Sequence, residues 1–110
     1  MAALALTAAA LAWAAPAAGQ ADGVDTAPGK ALAQRWCAEC HDITGAYSEL
    51  MGIRNYGDPP SFYAVANDLA VTEMALRAFL RTPHARMPDI ALKEEETAAI
   101  VDYILSLRRR

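Results

Sequence analysis

In "RWCAECH", residues 35–41, two thiols and an imidazole stand almost side by side as Cys37, Cys40 and His41. The chain has no other cysteine, and its one other histidine is His84. Three chemistries could use such a cluster. A tetrahedral zinc site needs four ligands, so both cysteines and both histidines would have to converge, and His41, adjacent to Cys40, could hardly close the same tetrahedron. A CxxC thiol oxidoreductase works in a thioredoxin-like βαβ setting, which needs strands. Covalent haem attachment needs two thiols that add across the two vinyl groups of a porphyrin and an imidazole that reaches the iron. Two intervening residues put both sulfurs on one side of a single turn, and the next residue projects its ring over the macrocycle centre. This third chemistry fits the spacing best.

A second stretch, "PHARMP" at 83–88, is bracketed by prolines. Pro88 disfavours helical geometry at Met87, so the segment reads as an extended strap. Such a strap can carry a side chain across to a flat cofactor, and a soft thioether is a good ligand for haem iron. His84, three residues earlier on the strap, competes with Met87 for that role. Met87 could also be ordinary gap-filling core, as most methionines are. Met51 and Met74 lack proline flanks and are read as core of that kind.

The elements that must position these side chains read as helices. Pro28 suits the first turn of a helix, where its missing N–H is harmless, with Thr26 or Asp25 as cap. Leu32, Trp36 and Cys40 recur at helical spacing, so a first helix runs from about Pro28 into the cysteine pair. Glycines and prolines between Asp42 and Pro60 interrupt every apolar run, which marks a long loop. A short helix follows Ser61. A third follows Thr72, with Leu76, Phe79 and Leu80 on one face and Arg77 and Arg81 on the other, and it stops at Thr82 before Pro83. The last helix has Glu94, Glu95 and Glu96 at its N-terminus and arginines at 108–110 at its C-terminus, both matching the macrodipole, and it buries Ile100, Tyr103, Ile104 and Leu107. No segment alternates with period two, so the reading is all-α.

Composition narrows the function classes. With 13 acidic and 10 basic side chains the chain carries a net charge of −3, too little cationic surface for nucleic acid. Its hydrophobic share of 55% is inflated by the uncharged, alanine-rich first 18 positions. That run reads as a secretory signal with cleavage after Ala17 or Ala21, although no Lys or Arg precedes Lys30. It is short and broken by Pro16, whereas a membrane span needs about 20 strongly apolar residues. Residues 1–21 are therefore read as signal peptide and processing region, and 22–110 as a single domain. At that length a lone hydrophobic core is only modestly stabilising, and chains often add a metal or cofactor.

Taken together, "WCAECH" and the downstream "HARMPDIALKEEETAAIVDYILSL" resemble the small monohaem class I cytochromes c of the bacterial periplasm, over nearly everything from Gly29 to Leu107. The resemblance implies a cytochrome c fold of about four helices, with long loops, around one haem c attached through Cys37 and Cys40. It implies His41 and Met87 as axial ligands, and leaves His84 to cap the strap or face solvent. It also implies a prolyl carbonyl that orients His41, at Pro59 or Pro60, of which Pro60 is taken as the cofactor-binding residue. The first and last helices would cross through Gly29, Ala33, Ile100 and Tyr103. Position 33 is alanine where many relatives carry an aromatic, and Trp36 is the ring that could compensate.

With both axial positions filled, the iron has no open place for substrate, so the expected function is electron transfer without catalysis. His/Met ligation raises the potential, as would an apolar wall, for which Leu76, Phe79, Leu80, Ile90 and Leu92 are candidates. The expected setting is the periplasm, with no membrane span after processing, as a monomer serving redox partner proteins. Arg77, Arg81 and Arg86 could steer an acidic partner, form a solvated face or pair with a haem propionate. The alternative is a haem sensor, or an electron-accepting subunit of a periplasmic dehydrogenase, in which Met87 is labile or absent from the iron.

Overall fold

A computed structural model describes residues 23–44 and 58–109, and every described segment of regular structure is helical. The four helices are α1 (Ala27–Trp36), α2 (Phe62–Asn67), α3 (Glu73–Leu80) and α4 (Glu94–Ser106). The fold is all-α, and α4 is its hub, touching each of the other three.

Local chemistry accounts for most of the boundaries. The Ser61 hydroxyl accepts the Ala64 N–H at 3.1 Å and the Thr72 hydroxyl accepts the Ala75 N–H at 3.1 Å, so α2 and α3 start on side-chain caps. At α4 the Glu96 carboxylate turns back to accept the Lys93 N–H at 2.9 Å. α1 starts differently. Thr26 holds the cap position without a side-chain bond, and the Asp25 carboxylate accepts the Ala27 N–H at 3.0 Å instead. α1 ends at Trp36, and α3 ends at Leu80, slightly before the expected Thr82.

The helix crossing rests on small residues. Gly29 and Ala33 are buried on α1, and a Cβ built on Gly29 would lie 1.9 Å from the Ala99 carbonyl oxygen and 2.8 Å from the Tyr103 Cβ. Only the absence of a side chain lets α1 approach α4 this closely. This corrects the expected stripe. Gly29, Ala33 and Cys37 form the buried line, whereas Leu32 is half-buried and Trp36 and Cys40 are exposed. Interhelical distance selected small side chains over large apolar ones. Ile100 and Val101 of α4 are fully buried, with Tyr103 and Ile104 beside them, and each such aliphatic contributes about 1.5–3 kcal/mol.

Three other expectations change. Met74 is 79% exposed, because two residues along a helix turn it well away from the buried Leu76; it is not core. Met51 lies outside the described residues, as does the Gly45–Gly57 part of the loop. The arginines at 108–110 were assigned to the C-terminus of α4, yet the Arg108 guanidinium donates to the Ala66 carbonyl at 2.8 Å and the Val71 carbonyl at 2.6 Å. It thus bridges the last turn of α2 and the segment before α3, in the manner of a cationic cap at Ala66. Finally, Arg77 pairs with Glu73 at 2.9 Å, within 3.9 Å of Glu94, and Arg81 pairs with Glu94. The basic face of α3 is thus tied to the first turn of α4.

Candidate haem site

Where α1 ends, the chain makes a compact turn. The Cys37 and Ala38 N–H groups both donate to the Ala33 carbonyl, and those of Cys40 and His41 donate to the Cys37 carbonyl at 3.1 and 2.9 Å. Both thiols are free, Cys37 buried and Cys40 exposed. Burial pushes the Cys37 thiol above its ordinary pKa by disfavouring the thiolate.

The turn delivers His41 to a defined partner. Its Nδ1 lies 2.7 Å from the Pro60 carbonyl oxygen. A carbonyl can only accept, so Nδ1 carries the proton and Nε2 presents its lone pair. That is the tautomer a metal-ligating histidine needs, with the hydrogen bond fixing the ring and raising its basicity. Of the two prolines, Pro60 supplies the carbonyl. The ring also packs on Phe62, with centroids 5.6 Å apart, a contact not foreseen from the sequence. Its only signal was an aromatic two residues after the proline.

Beside the turn lies a shallow apolar cleft, open to solvent, lined by Trp36, Cys37, Phe79, Leu80, Met87, Ile90 and Leu92 among others. Four of the five expected wall residues line it, while Leu76 is buried in the helix core. Trp36 and Phe79 remain 46% and 45% exposed. Two large rings left half in water on the wall of one groove, beside two unjoined thiols, suit a flat apolar group attached at the cysteines.

Met87 enters this cleft from the strap and is half-buried. His84 also borders it, but its Nε2 lies 3.0 Å from the Phe79 carbonyl and its ring stacks on that of Phe79 at 3.6 Å. The carbonyl again requires the proton on the contacting nitrogen. His84 therefore closes the C-terminal end of α3, with its Nε2 proton committed to the Phe79 carbonyl.

The same span is recognised by the family model described as cytochrome c oxidase, cbb3-type, subunit III, which matches residues 24–104. The chain belongs to the cytochrome c family. Cytochrome c-552 of Bradyrhizobium diazoefficiens is 37% identical over 84 residues, which are 76% of each chain. No solved structure matches. As a cytochrome c, the protein transfers electrons with a covalently bound haem c, and the free thiols, the lone pair of His41 and the apolar cleft are consistent with that group.

Proposed function

We propose that Cys37 and Cys40 carry the two thioether links, that His41 and Met87 are the axial ligands, and that the chain is a one-electron carrier with no catalytic turnover. The observation that carries this reading is the His41–Pro60 contact, which leaves Nε2 as the free ligand nitrogen; it is supported by the cleft that Cys37 and Met87 both line. When bound, haem c supplies a one-electron iron couple. The chain's own residues set the terms of that couple: Pro60 holds the imidazole, Met87 offers a soft ligand that favours the reduced state, and the apolar wall disfavours added charge and excludes water.

Family membership supports an exported protein, periplasmic or membrane-associated. Within that, we place it in the periplasm, with residues 1–21 as a leader removed after Ala17 or Ala21 and 22–110 as one monomeric domain. The uncharged run and its small-residue end support the leader; among the described residues no helix is long and apolar enough to cross a membrane. Its partners are redox proteins. With Arg77 and Arg81 engaged by Glu73 and Glu94, the exposed Arg86 on the strap is the better guide for an acidic partner. A second reading, an electron-relaying subunit of a larger complex, is supported by the oxidase-subunit description of the family model.

Ligand exchange tests the assignment. The oxidised protein is expected to show the weak red charge-transfer band of an iron–thioether bond. Met87→Ala erases it, lowers the potential and opens the iron to carbon monoxide, whereas His84→Ala leaves all three nearly unchanged. The reverse pattern would replace the reading with a bis-histidine cytochrome of lower potential.

A further inference from the structure

We infer that Tyr103 is a positioning residue for His41: a buried hydroxyl on α4 that holds the loop carrying the imidazole and so sets its hydrogen bond to Pro60. The inference rests on His41 being an axial ligand, as proposed above.

Tyr103 is 6% exposed, and its hydroxyl donates to the Ile43 carbonyl at 2.7 Å across 60 residues of sequence. Ile43 is equally buried. The intervening Asp42 carbonyl accepts the Phe62 N–H at 2.8 Å. Residues 41–43 and 60–62 are thereby joined at two points, by the His41 ring to the Pro60 carbonyl and by Phe62 to Asp42. Rings continue the same path, since Phe62 lies between His41 at 5.6 Å and Tyr103 at 6.4 Å. Tyr103 is also the residue whose Cβ lies against Gly29. One side chain therefore couples the close α1–α4 crossing at Gly29 to the loop that presents the imidazole.

The direction of the effect follows from ligand chemistry. A short bond from Nδ1–H to a carbonyl makes the imidazole a stronger electron donor, which favours ferric iron and restrains the potential. Removing the hydroxyl leaves the buried Ile43 carbonyl without its partner, loosens 41–43 against 60–62 and weakens that bond. The potential should then rise.

The holoprotein of Tyr103→Phe keeps the ring and loses only the donor. In the reduced, diamagnetic state, hydrogen exchange of the His41 ring N–H is expected to accelerate roughly ten-fold or more, with an upward shift in reduction potential. Val101→Ala, a deletion of fully buried side chain on the same helix, serves as the control. It should reduce stability while leaving ring exchange and potential as in the parent. Tyr103→Phe with unaltered exchange and potential, or Val101→Ala with the same shifts, would make Tyr103 a packing residue only and overturn the inference. Failure of the underlying ligand reading has a different signature: in the parent protein the imidazole protons of His41 would lack the large haem ring-current shifts of an axial ligand.

Discussion

Around His41, residues 41–43 are bound to 60–62 by the Pro60 and Asp42 carbonyls and to α4 by the Tyr103 hydroxyl. On the Met87 flank, the strap is mostly exposed, and its described bonds are local: His84 to the Phe79 carbonyl at its entry and Leu92 N–H to the Ile90 carbonyl at its exit. Long-range bonds into a buried helix open only when the helix opens, whereas local bonds on an exposed segment open alone. The imidazole is thus built into the fold and the thioether is laid over it. With His41 and Met87 as the proposed axial ligands, such a division would hold one side fixed and let the other dissociate first under stress.

The harshest way to probe this contrast is to remove attachment. Cys37→Ala with Cys40→Ala is expected to abolish covalent haem on a denaturing gel and, since the cofactor completes the core, most of the helical circular dichroism. Residual amide protection should concentrate in α1 and α4 and be absent from 83–92; protection retained in the strap would break the comparison. A fully folded, haem-free double variant would mean the domain has another core.

Gly29→Ala acts at the crossing beneath the His41 flank. The added methyl meets the backbone of Ala99, which cannot move as a flexible side chain would, so a loss of about 1–3 kcal/mol in global stability is expected from denaturant unfolding. The charge-transfer band should fade in step with helicity. Fading of the band alone would place the crossing under the strap instead.

A smaller effect comes from alkali. Burial, with Asp42 nearby, raises the Tyr103 pKa above the ordinary tyrosine value, so the folded state holds this proton more tightly than the unfolded chain does. Its contribution is fully present below the unfolded value of about 10 and is lost as pH rises through the higher folded value. Denaturant midpoints measured from pH 9 upward should fall, and Tyr103→Phe should flatten that part of the profile. The same fall in the variant would assign the alkaline loss to other groups.

How much was legible beforehand depends on the range of the forces involved. Thr72 and Ser61 cap their helices through N–H groups three residues away, and Pro88 constrains Met87 through one peptide bond; these are local effects and could be read directly. The Cys37, Cys40 and His41 spacing is likewise a property of one turn. Met74 lies off the Leu76, Phe79 and Leu80 face by helical spacing alone, so its exposure was legible too, and residue type was the wrong guide there. The tertiary partners of Arg81 and Arg108, namely Glu94 and the Ala66 and Val71 carbonyls, lie on other elements and are invisible to local reading.

The sequence by itself made the chemistry legible: two thiols and an imidazole at the spacing that suits covalent haem attachment, a thioether on a proline-bracketed strap, and no stretch with the period-two alternation of a strand. Tertiary structure decided the rest. It selected Pro60 over Pro59 across 19 residues, committed the Nε2 proton of His84 to the Phe79 carbonyl, set Gly29, Ala33 and Cys37 rather than the larger apolar residues into the helix contact, and brought Tyr103 to Ile43. The reason is physical: residue type and neighbours establish what a side chain can do, while close packing of distant segments establishes which single partner is within hydrogen-bonding distance.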